Sequence, residues 1–266
     1  MHYWEPSRPE RAWDPGGVDL GPPLSVEQLL ADAKNAGVDR IVQITPSLMG
    51  WDNRYAIEGA ERHPDGVAAV IGRFDPLAPE LPRRLAAFKA QPRVAGVRIM
   101  LTKGSSAWLR EGRLEELFAE SAKLDLPVLL YGPNQAAEMK TAALRHPQTT
   151  FLIDHMAVTR DDNAPFARWN EVARMAEAPN VYMKVSYFPE AAKTPYPFAN
   201  TLFYFQRLYE RFGPDRLIWG SNYPVSAQAC TYKENVDYIR ESIAFLSEVD
   251  KEKILGANVL RALGVA

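Results

Sequence analysis

The chain has 266 residues, of which 47% are hydrophobic, 24% charged and 11% aromatic, which excludes a disordered chain, a collagen-like repeat and a small disulfide-stapled domain. Lys+Arg 31 against Asp+Glu 33 gives a formal net charge of -2, so no basic surplus exists for phosphate backbones and nucleic acid is not an expected partner. The single cysteine, Cys230, supports neither an internal disulfide nor a thiolate metal cluster, and no run approaches the roughly 18 apolar residues that span a bilayer, so the expected location is the cytoplasm, away from membranes.

In chain order, MHYWEP offers at most the end of a strand. SVEQLLADAKNAG then has helical spacing, with Ser25 placed to cap its first turn and Gly37 its last. Seven short runs rich in β-branched residues follow: RIVQIT (40–45), VAAVIGR (67–73), VAGVRIML (94–101), LPVLLYG (126–132), TFLIDH (150–155), NVYMKVS (180–186) and RLIWGS (216–221). Helical segments such as ELPRRLAAFKAQ, RLEELFAESAKLD, FARWNEVARMAE and LFYFQRLYERFG alternate with them. Strand-helix alternation predicts a parallel sheet with helices outside it. Seven such units plus a truncated or very short first strand predict an α/β fold, a (β/α)8 TIM barrel occupying residues 1–266 as one domain. The alternative, an open doubly wound sheet, usually carries a Gly-rich phosphate turn, and neither GxGxxG nor GxxxxGK[ST] occurs. Three prolines between 189 and 197 predict a long loop at the barrel mouth.

A barrel assembles its site at the strand C-termini, and side-chain alternation sorts the candidates. In NVYMKVS the apolar Val181, Met183 and Val185 suit the helix layer, which turns Tyr182, Lys184 and Ser186 inward. Val97 and Ile99 likewise turn Arg98 inward, where a guanidinium needs either a protein carboxylate or an anionic ligand. His155 ends its strand at the mouth; the same alternation directs Asp154 the other way, as a structural partner. Asn222 and Tyr223 sit at the end of the last strand. Asn222 can donate or accept hydrogen bonds but cannot take up a proton as a carboxylate does. Trp51, Asp52 and Asn53 occupy the rim after RIVQIT, where a helix cap is the competing explanation. His63 and His146 precede prolines at helix ends and read as surface residues, and nothing in the sequence alone separates His2 from a loose tail.

Together, H-x-W-x-P near the start, DN-x-x-A after RIVQIT, then GVR, LPV, DHM, V-x-x-K-x-S and WGS-x-YP, in this order from His2 to the GANVLRALG tail, resemble the amidohydrolase-2 branch of the amidohydrolase superfamily, which includes pyrone-dicarboxylate lactonase-like hydrolases. The resemblance implies a (β/α)8 barrel. It also implies, in metal-binding members, an H-x-H pair on the first strand, histidines on the fifth and sixth, and an Asp on the eighth. At those positions this chain has His2 for the second His of the pair, Tyr131, His155 and Asn222. Two imidazoles without a carboxylate make a poor divalent site, so no metal or other cofactor is expected. The lactonase branch is implied to work without metal, although through the Asp that Asn222 replaces.

The expected activity is hydrolysis of a small lactone or cyclic carboxylic acid. His155, His2, Lys184 and Asn222 form the catalytic set, with Arg98 binding the acid group of the substrate and Tyr131, Ser186, Trp51, Asn53 and Tyr223 around it. His155 would act on protons near neutral pH; Asn222→Asp would raise lactone hydrolysis if the site is a weakened hydrolase, and do nothing or do harm if it has been rebuilt for another reaction. A lyase related to the decarboxylases, or a barrel that binds ligand without turnover, are the alternatives. The expected partner is a carboxylated small molecule; a homo-oligomeric state is left open.

Overall fold

The structure of the chain, a computed structural model, describes residues 1–159 and 162–265. The seven runs form seven parallel strands: β1 (Ile41–Ile44), β2 (Val67–Arg73), β3 (Val94–Met100), β4 (Val128–Tyr131), β5 (Phe151–Ile153), β6 (Val181–Val185) and β7 (Leu217–Trp219). They pair in sequence order, β1-β2-β3-β4-β5-β6-β7, and curl into an α/β TIM-like barrel wrapped by helices. The helix Val26–Asn35 starts as its sequence predicts: the Ser25 side chain accepts from the Gln28 N–H, and Gly37 takes φ 70° just beyond its end.

The alternation along each strand is the folding signal. Ile44, Ala69, Ile71, Ala95, Leu129, Leu152 and Ile218 pack together inside the barrel, while Val70, Val97, Val128, Ile153, Met183 and Leu217 pack in the cluster beneath the helices. Each such side chain contributes about 1.5–3 kcal/mol on burial, so a one-residue slip in any strand would expose a whole face at once.

Among the described residues β7 and β1 are not paired. The segment at the chain start lies across this seam: the His2 N–H donates to the Tyr223 carbonyl at 3.1 Å, the Ile44 N–H to the Met1 carbonyl at 2.9 Å, and the Gln43 amide both donates to and accepts from the Tyr3 backbone. His2, Tyr3 and Trp4 are therefore buried in the body of the protein rather than forming a loose tail.

Candidate active site

The C-terminal ends of the strands surround a pocket of about 620 Å³. Of the residues singled out from the sequence, His2, Trp51, Arg98, Tyr131, His155 and Asn222 line it. Lys184 and Ser186 lie buried and are each bonded to a neighbour in the site. The side chains of Asn53 and Tyr223 are occupied elsewhere. The Asn53 amide is clamped to the Arg73 backbone, accepting from its N–H at 2.7 Å and donating to its carbonyl at 2.8 Å. The Tyr223 hydroxyl donates to Asp32 at 2.8 Å. Rim position in the sequence does not reveal which way a loop side chain turns.

Asp154 departs from the alternation argument. Leu152 faces the barrel interior, so Asp154, two residues on, faces inward too. β5 has only three residues, after which His155, Met156 and Ala157 adopt φ of 50°, 54° and 56°. This left-handed turn brings His155 into the pocket as well. Asp154, fully buried, accepts from Arg98 Nη2 at 2.7 Å through one oxygen and from Lys184 Nζ at 2.6 Å through the other. Burial opposes its ionisation, but His155, Lys184 and Arg98 overcome that and hold the carboxyl well below its usual range. Gly220 makes the cluster possible, because a Cβ there would sit 2.3 Å from Lys184 Cε.

The imidazoles are neutral at ordinary pH. Burial drives His155 down to about 3 and His2 well below its normal value, with the neighbouring cations adding to both shifts. The sequence-based expectation that His155 titrates near neutrality is thereby corrected. His2 Nδ1–H donates to the Ile44 carbonyl at 2.8 Å, which leaves Nε2 with a lone pair. His155 Nδ1 lies 2.8 Å from Ser186 Oγ, and its Nε2 lies 3.4 Å from the Asp154 carboxylate. A carboxylate beside Nε2 favours the proton there, with the Ser186 hydroxyl donating to Nδ1. The Tyr131 ring packs edge-on against His155 at 5.5 Å.

Charged residues that the sequence did not single out also stand at this site, Asp14 on the pocket wall among them. Glu190, buried on the short helix Phe188–Ala192 in the proline-marked segment, accepts from Asn222 Nδ2 at 2.6 Å. A carboxylate beside the amide NH2 fixes its orientation, so the other end of Asn222, an acceptor oxygen, is the end left for the pocket. Arg73, at the end of β2, also lines the pocket. The Phe188–Glu190 segment is legible as a loop at the mouth, but not which of its side chains turns in.

The donor set does not fit a divalent ion. Among the described residues no three His, Cys, Asp or Glu side chains come together as ligands, and the one carboxylate beside His155, Asp154, is held by two cations.

The chain belongs to the amidohydrolase family, whose model matches residues 1–265, and it is a hydrolase. It is 30% identical over 238 residues to the L-fucono-1,5-lactonase of Burkholderia ambifaria, covering 86% of this chain and 80% of that protein. It is 24% identical over 258 residues to the 4-sulfomuconolactone hydrolase of Rhizobium radiobacter, covering 92% and 82%. The fold matches that of an amidohydrolase from Burkholderia multivorans with bound HEPES at a TM-score of 0.83 and 19% identity, over 100% of this chain and 97% of that one.

Proposed function

We propose that this hydrolase opens a small lactone ring that carries a carboxylate, that it does so without a metal, and that it works in the cytoplasm. The observation that carries the reading is the buried Arg98–Asp154–Lys184 cluster beneath two neutral imidazoles at the barrel mouth. Two cations share one carboxylate, so the cluster retains positive charge where the carbonyl oxygen of a bound ester would develop negative charge. The His155 Nε2–H, turned to Asp154, helps to hold the carboxylate between the two cations. Water bonded to the His2 Nε2 lone pair and the Asn222 oxygen attacks the carbonyl carbon; the ring C–O bond breaks, and the proton released from water passes by way of His2 to the departing ring oxygen, giving the hydroxy acid. His2 and Asn222 are neighbours, since the His2 N–H bonds the Tyr223 carbonyl. The lactone-opening relatives support this choice of ester over amide. In this reading Met1–Trp4 serves as the truncated first barrel strand.

Acid release from L-fucono-1,5-lactone and from a carboxylated lactone, followed at constant pH, tests the proposal. Release above the spontaneous rate, unchanged by chelator and with less than about 0.2 equivalents of bound zinc, manganese or iron, is expected. Loss of activity on chelation with recovery on adding metal, or carbon dioxide release from hydroxybenzoates in place of lactone opening, overturns it.

A further inference from the structure

Arg73 and Arg98 are register partners on adjacent parallel strands, so two guanidinium groups rise side by side at the mouth. Their charges are answered differently. Arg98 is paired with Asp154 at 2.7 Å. No carboxylate of the described residues forms an ion pair with Arg73; its Nη1 donates to the Ser47 carbonyl at 2.8 Å and its Nε–H is buried without a partner. Burial and repulsion from Arg98 pull its pKa down to about 10, against a weaker pull from Asp14. The Trp51 ring lies 4.4 Å from the guanidinium carbon, and Trp51 is 48% exposed at the rim. The position is built deliberately. Asn53 fixes the Arg73 backbone at both its N–H and its carbonyl, and Gly72 leaves the room, since a Cβ there would meet Asn53 Oδ1 at 2.7 Å. Arg98 also keeps a buried Nε–H without a partner, but its Nη2 is taken by Asp154, whereas the Nε, Nη2 edge of Arg73 meets no carboxylate of the described residues and matches the two oxygens of one.

We infer that Arg73, stacked on Trp51, is the docking point for the substrate's carboxylate, which lies side-on against the free edge of the guanidinium. This deepens the lactonase reading by giving the carboxylate to Arg73, which leaves Arg98, held in place by Asp154, to the carbonyl. Arg73 is a binding residue in this scheme and takes no part in proton transfer.

Binding is measured apart from turnover, by calorimetry with benzene-1,3-dicarboxylate, a cyclic dicarboxylate with no ester to open, and with its uncharged diamide. The dianion is expected to bind and the diamide at least tenfold more weakly. Arg73→Met should weaken the dianion by about 10- to 100-fold, Arg73→Lys by less, and Trp51→Leu, at an exposed position that does not threaten folding, by several-fold. Melting curves identify any variant that has lost its fold, in which case Trp51→Leu decides. Equal binding of dianion and diamide, unchanged binding in Arg73→Met or in a folded Trp51→Leu, or no binding of the dianion at millimolar concentration overturns the inference. If the dianion binds through Arg73 and no lactone is opened, the lactonase reading fails and the anion site stands.

Discussion

Among the cavities of the described residues, the mouth pocket and one along the seam are nearly the same size. The mouth pocket holds about 620 Å³ and is lined by imidazoles, guanidiniums and an amide. The other, about 640 Å³, follows the unpaired seam between β7 and β1 and is walled by Ile41, Val42, Ile71, Leu129, Ile218 and Val259. Volume does not separate them. Burial moves groups at both from their ordinary protonation behaviour, the Met1 amine down to about 4 at the seam and His2 and His155 at the mouth, but those that share Asp154 as a partner gather beneath the mouth. Lys184 reaches the inner end of the seam cavity yet spends its charge on Asp154, so even the seam's one buried cation belongs electrically to the mouth.

The contrast is sharpest at Asp154. Asp154→Asn leaves two buried cations without their anion and is expected to cost about 3–5 kcal/mol in urea unfolding, with activity lost as well. An effect below 1 kcal/mol would mean that the mouth is no more electrostatically coupled than the seam. Next comes His155→Gln, which loosens the charged cluster around Asp154 and is expected to lower turnover about 10²- to 10³-fold in the acid-release assay. The same imidazole sets a pH dependence. It is held near pKa 3 in the fold but is free to protonate near 6.5 when unfolded, so between those values the unfolded chain binds a proton that the native state refuses. Stability present above about pH 6.5 is therefore lost as the pH falls toward 3, and unfolding at pH 4.5 and 7.5 should differ less in His155→Gln than in the wild type.

Asn222→Asp has a smaller effect, and the Glu190 carboxylate beside it favours harm over gain. An aspartate there would meet Glu190 at the present 2.6 Å, and two carboxylates so close must share a proton. Instead of raised hydrolysis, a loss of about 1–3 kcal/mol in stability is expected at neutral pH, relieved on acidification and in the Asn222→Asp, Glu190→Gln double variant. The smallest effect belongs to the seam. Val259→Ala, on a partly buried wall, should cost about 1 kcal/mol in unfolding and leave kcat/KM unchanged. A tenfold drop in kcat/KM there would erase the distinction between the two cavities.

The sequence carried the fold because the strands alternate plainly. V-x-M-x-V around Tyr182 and Lys184 allows one inward face, as does V-x-I around Arg98, and the inward placement of Arg98, Lys184 and Ser186 could be read from these patterns. Asp154 could not be placed from His155, because the chain leaves β5 through left-handed residues that break the two-residue period. Arg73 ends a strand whose small and apolar residues are buried on both faces, so no polar alternation marks its direction. Glu190 reaches Asn222 from a turn of helix with no periodic signal of its own. What stayed hidden was Arg73, on a strand without polar alternation, and the side chains at or beyond a backbone turn.

One of those turns bears on how the molecule responds to heat. His155, Met156 and Ala157 are three successive non-glycine residues in the left-handed region, each costing on the order of 1 kcal/mol or more that burial and the Asp154 cluster must offset. The three-residue strand before them holds the turn with few ladder bonds. A segment under such tension opens at a lower temperature than the sheet that anchors it. Warming should therefore silence the enzyme before it melts, with the loss reversible on cooling as long as the barrel stays closed.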